Sequence, residues 1–147
     1  MQNILNHKLL LGCFIIPVMI LLLILSCEND TLEIQQNFPF DVEVMPVQKY
    51  ISKGETVEIR CRIIPSGNYA GTIYSIRYFQ SEGQGNLRLF NDPPFVPNDF
   101  YPLNEKELRL YYTSESTVSQ SFDIWISDNM GNKHQVNFQF NPQSTGT

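Results

Sequence analysis

The sequence predicts an all-β fold, an antiparallel sandwich of about seven short strands, preceded by a helical leader that is cut away. Two observations carry this. From residue 38 onward apolar side chains recur at every second position in run after run, the spacing that gives a strand one buried face. Breaks rich in Gly, Asn and Pro interrupt those runs about every ten residues, and helical periodicity is nearly absent.

The chain opens differently. Met1 to His7 is short and polar, Lys8 adds a positive charge, and Leu9 to Leu25 carries no charged residue. These are the parts of a secretory leader, although the apolar run is almost long enough to span a membrane. Its end separates the two readings. Ile24-Leu25-Ser26-Cys27 is apolar, then small, then cysteine, and resembles the lipobox of bacterial lipoprotein signals. In that motif the thiol accepts diacylglycerol before the leader is removed. Residues 1–26 are therefore expected to be a signal peptide, Cys27 the lipid attachment site, and residues 27–37 a lipidated tether. Several acyl chains on one residue anchor firmly, at about 0.8 kcal/mol per buried methylene. The alternative is an uncleaved anchor beside a chance cysteine, and both place the rest of the chain outside the cytoplasm. The expected location is the cell envelope, on the periplasmic or outer-surface side of a membrane.

The strands follow in order. Phe38, Phe40, Val42 and Val44 alternate with polar residues, and Lys53-Gly54-Glu55 makes a turn in which Gly54 can take a positive φ. Val57, Ile59, Cys61 and Ile63 point inward in the second run, with Glu58, Arg60 and Arg62 outward. Tyr74, Ile76 and Tyr78 form the inward side of the third, and Leu87 and Leu89 that of a short fourth. The stretch from Asn91 to Pro102 is expected to be irregular, because its four prolines deny ladder donors. Leu108, Leu110 and Tyr112 mark a fifth strand, Phe122, Ile124 and Ile126 a sixth, and Val136, Phe138 and Phe140 a seventh. Asp128 to Asn132 joins the last two as a hairpin loop, with Gly131 left-handed. Seven strands with clean alternation describe an immunoglobulin-like β-sandwich over residues 38–142, followed by a disordered tail at 143–147. A small closed barrel is the rival.

Charge and chemistry narrow the function. All fifteen acidic residues follow Cys27, whereas Lys8 alone of the ten Lys and Arg precedes it, so the mature chain carries nine cations and a net charge of −6. No dense cationic face is present for phosphate, and no nucleic-acid partner is expected. Cys13 leaves with the leader and Cys27 would carry lipid, so Cys61 has no disulfide partner and should lie in the core. His134 has no partner at metal-ligand spacing, and neither a metal site nor a cofactor is expected. No nucleophile motif occurs, Glu105 and Glu107 read as a solvated pair, and Gly83-Gln84-Gly85 precedes a strand rather than a phosphate-binding helix. The chain does not read as an enzyme.

Binding is the remaining chemistry. Phe95, Val96, Phe100 and Tyr101 give the Pro-rich loop an apolar load unusual for solvent. Such a loop either folds back as a lid or presents a partner-binding patch. Trp125 and Tyr111 fall on outward faces, where amphipathic rings suit a sugar or a protein. The outward Arg60, Arg62, Arg77 and Arg109 are expected to pair with carboxylates such as Glu58 across strands.

As a set, these residues resemble a known family. Phe38-Pro39-Phe40, Met45-Pro46-Val47, Lys53 to Cys61 (KGETVEIRC), Ile76 to Gln80 (IRYFQ), Pro97-Asn98-Asp99 with Tyr101-Pro102, and Leu110 to Ser114 (LYYTS) stand in order along the chain. They are similar to TraQ-like proteins of Bacteroides-type conjugative transposons, over nearly everything beyond Cys27. The resemblance implies an exported, lipid-anchored accessory protein whose partners are protein components of a transfer apparatus. It implies no catalytic residue. The competing reading from another class is a surface ligand-binding module for glycans or adhesion.

Overall fold

A computed structural model describes residues 36–143. The expected signal peptide, Cys27 and all but the last two residues of the tether lie outside the described residues, as do positions 144–147 of the expected tail. Alternation builds the rest. The strands are β1 (Phe40–Val44), β2 (Tyr50–Ile51), β3 (Thr56–Pro65), β4 (Tyr74–Glu82), β5 (Gly85–Leu89), β6 (Phe100–Leu103), β7 (Glu107–Ser114), β8 (Gln120–Asp128) and β9 (Lys133–Pro142). They form a four-stranded sheet ordered β1-β3-β7-β5 and a five-stranded sheet ordered β2-β9-β8-β4-β6. All pairs are antiparallel except β2 with β9.

Without β2 and β6, the seven expected strands fall into the A-B-E-D and G-F-C orders of the immunoglobulin-like sandwich. The two additions extend the edges of the second sheet. β2 is too short for periodicity to reveal. β6 corrects the expectation that Asn91 to Pro102 is irregular to its end, because the proline tolerated there lies on an edge strand. β4 and β5 hold another lesson. Their connection is short enough for a hairpin, yet they pair in different sheets, β4 with β8 and β5 with β7. The chain crosses the sandwich there. Gly85 makes the crossing possible, since a Cβ at that position would collide with the Tyr112 ring and hydroxyl.

The core lies between the sheets. Ile59, Cys61, Ile76, Phe122, Ile124 and Phe138 are buried as their parity predicts, and Val136 is partly buried against them. Phe122 is its centre: its ring stacks on Tyr112 at 4.4 Å and on Phe138 at 5.1 Å, and meets Tyr78 edge-on at 5.6 Å. Such pairs contribute about 0.5–1.5 kcal/mol each beyond burial. The turns follow their residues too. Gly54 and Gly131 have φ of +83° and +94°, and Asp128 Oδ1 accepts from the Met130 and Asn132 N–H groups at 2.9 and 2.8 Å, closing the β8–β9 loop.

Candidate functional site

The two outer faces of the sandwich differ in chemistry, and register decides how. On the four-stranded sheet, Arg60 lies opposite Arg109, and Arg62 opposite Glu107. Glu58 binds both of the first two, with Arg60 Nε at 3.1 Å and Arg109 Nη1 at 3.7 Å, and Arg62 reaches Glu107 at 3.3 Å. The Arg60 hydrogen bond holds the Glu58 carboxyl below its ordinary pKa. Arg62 and Arg109 pair across strands as the sequence predicts, whereas Arg60 reaches Glu58 along its own strand. A shallow cleft of about 190 Å³ runs among them beside Met45, smaller than the roughly 300 Å³ at which small-molecule sites begin.

The five-stranded sheet is built otherwise. Arg77 on β4 is flanked in register by Phe100 on β6 and Trp125 on β8. Its guanidinium carbon stands 5.4 Å from the Phe100 ring centroid and 4.6 Å from that of Trp125. Among the described residues no carboxylate forms an ion pair with it, and its Nε is buried without a hydrogen-bond partner. The expectation that Arg77 pairs like its counterparts is therefore corrected. Its strand neighbours across the sheet are aromatic, so it stacks instead. Tyr111, the other outward aromatic, carries Arg88 at 5.4 Å on the opposite sheet.

The Pro-rich loop divides its four candidates. Phe95 is 6% exposed, its ring lies 4.5 Å from that of Tyr101, and its N–H donates to Leu87 O at 2.7 Å. Tyr101 is partly buried, and its hydroxyl accepts from the Val96 N–H at 2.8 Å. This pair closes over the core as a lid. Val96 and Phe100 remain 56% and 62% exposed. Parity explains Phe100 and Tyr101, because adjacent residues of β6 face opposite sides. With Phe79, 38% exposed and two residues from Arg77 on the same face, Phe100 forms an apolar border beside the guanidinium. Arg77 is the member that sequence reasoning missed, and the signal was its place amid Phe79, Phe100 and Trp125, visible once the register is known.

The remaining candidates are structural. Burial pushes the Cys61 thiol up to about 11, far from the range of a nucleophile. His134 Nδ1 lies 3.4 Å from Asp41, joining β9 to β1. Glu105 and Glu107 are both exposed, and Glu107 is engaged by Arg62. Among the described residues no three His, Cys, Asp or Glu side chains cluster as metal ligands, and no helix is long and apolar enough to cross a membrane.

Comparison with known proteins gives one consistent result. Residues 9–143 match the family described as TraQ conjugal transfer protein. Among solved structures, a conjugative transposon lipoprotein from Bacteroides eggerthii is 46% identical, with a TM-score of 0.67 over 71% of this chain and 99% of that one. A lipoprotein from Bacteroides thetaiotaomicron is 45% identical, with a TM-score of 0.66 over 80% and 91%. A conjugate transposon protein from Bacteroides vulgatus, solved as residues 27–141, is 47% identical, with a TM-score of 0.65 over 80% and 96%. A search of curated proteins gives no match.

Proposed function

The chain belongs to the TraQ conjugal transfer family, and from that membership we propose that it is a non-enzymatic envelope lipoprotein serving as an accessory component of a conjugative transposon's transfer apparatus. Diacylglycerol on Cys27 would hold it at a membrane, with residues 28–37 as tether to the sandwich. It would act through protein–protein contacts. The observation that carries this is the family match over residues 9–143, joined by relatives at 45–47% identity that are conjugative transposon or lipoprotein structures from Bacteroides.

The geometry supports contact over catalysis. Glu58, Glu107 and their arginines are engaged in surface ion pairs and Cys61 lies in the core, whereas Phe100 and Phe79 stay exposed on the face that carries Arg77. Exposed aromatics around an arginine are the composition of an interface centre. The test is a clean deletion in a donor strain. Transfer of the host element should fall and return on complementation, with growth unchanged on all carbon sources. Normal transfer with slow growth on one polysaccharide would instead identify a glycan-binding module.

A further inference from the structure

We propose that the face of the five-stranded sheet around Arg77 docks a protein segment carrying a carboxylate between apolar side chains. This rests on the reading that the protein works by contact, and it names the chemistry of that contact.

The guanidinium is the reason. Phe100 and Trp125 hold it from both sides, and its Nε is buried without a partner. The buried Nε lies out of an incoming group's reach, but the Nη groups form no ion pair among the described residues, and a carboxylate offers them two parallel N–H···O bonds in a fixed geometry. Because the rings already orient the side chain, little rotamer freedom is lost on binding. Among the described residues no acid forms an ion pair with it. Asp123 lies opposite Phe79, one row away, and its Oδ1 already accepts from Gln135 Nε2 at 3.1 Å and Asn137 Nδ2 at 3.0 Å.

Charge complementarity selects the partner. The chain beyond Cys27 is acidic, and on the opposite sheet Arg60, Arg62 and Arg109 are paired with Glu58 and Glu107. Arg77 is not. Beside it, Phe100 and Phe79 are exposed on the same face and suit apolar side chains flanking the incoming acid, excluding water from the pair. A sugar fits less well, since it stacks on an open ring face and Trp125 has the guanidinium over its ring and is half-buried. An added strand fits less well, because Pro102 leaves the β6 edge short of a donor.

A photoreactive benzoylphenylalanine at Phe100, and separately at Phe79, in the full-length chain tests this in mating donor cells. The expected adduct maps to an envelope-protein segment with Asp or Glu between apolar residues. Arg77→Glu and Arg77→Met should each lower its yield about tenfold or more, without altering the melting temperature of the purified lipoprotein. Changing the mapped acid to Lys should restore the adduct in the Arg77→Glu chain, and Arg88→Glu on the opposite sheet should leave it intact. An adduct with a polysaccharide, one with a segment lacking an acid, an adduct retained in both Arg77 variants, or none from either position overturns the proposal. Normal transfer in the deletion strain removes the accessory reading itself. Impaired transfer there, beside an Arg77→Glu chain that transfers and crosslinks normally, removes only the docking chemistry.

Discussion

Tyr112 and Gln120 tie the two sheets together at one end of the sandwich: the Tyr112 hydroxyl donates to Gln120 Oε1 at 2.7 Å. Gln120 Nε2 donates in turn to Ser114 Oγ at 2.9 Å, and Gln80 Nε2 to the Tyr112 oxygen at 3.1 Å. Tyr78 completes the cluster by donating to Gln80. Tyr112→Phe should therefore leave Gln120 buried and short of a donor, at a cost of about 1–3 kcal/mol. Urea unfolding of the variant reads this. A loss below the error of the measurement would show that the cluster contributes nothing net.

Phe122 touches four aromatic rings at the centre of the core. Phe122→Ala should cost about 3–5 kcal/mol, a large part of the roughly 5–15 kcal/mol of an ordinary domain. Phe138→Ala, at the rim of the same stack, should be destabilising in the same direction. Denaturant midpoints compare the two.

Cys61 gives a pH dependence with a definite sign. Its thiol ionises near 9 when exposed and near 11 in the fold, because burial penalises the thiolate. Between those values the unfolded chain has released a proton that the native chain keeps, so unfolding gains as pH rises. The stability this group contributes is whole below pH 9 and lost through pH 11, an effect of about 2–3 kcal/mol. Denaturant midpoints at pH 8, 9 and 10 should fall, and Cys61→Ala should flatten the slope. Iodoacetamide should modify Cys61 only on unfolding; rapid alkylation of the native chain would contradict its burial.

The division of the Pro-rich loop separates stability from contact. Phe95→Ser removes a buried ring and adds a hydroxyl to the core, and should lower the melting temperature by many degrees. Phe100→Ser lies on the surface and should leave the melting temperature nearly unchanged while reducing transfer. Equal melting losses in both would mean that Phe100 too belongs to the lid.

Anchoring is tested at Cys27. Cys27→Ala should abolish labelling by an alkyne fatty acid and leave the leader uncut. Equal labelling of the variant would remove the lipoprotein reading.

What the sequence by itself determined follows from local physics. A strand has period two, so Val57-Ile59-Cys61-Ile63 or Phe122-Ile124-Ile126 declare their buried face without reference to anything distant. The turn at Gly131 is equally local, being a matter of one residue's φ. The order of the motifs from Phe38 to Ser114 also sufficed to point to the TraQ family. Tertiary structure decided the rest, because it depends on which strands become neighbours. The crossing between β4 and β5 has the length of a hairpin, and only the packing of Tyr112 over Gly85 shows that it changes sheets. Phe95 and Phe100 are chemically alike in the sequence, yet the β4–β6 pairing turns Phe100 out, while the β5 edge holds Phe95 in. Arg62 and Arg77 each sit amid alternating strand residues, and cross-strand register decides that the former meets Glu107 and the latter stands between two rings. Side chains on a sheet find their partners across strands as much as along them, and that direction is not written in sequence order.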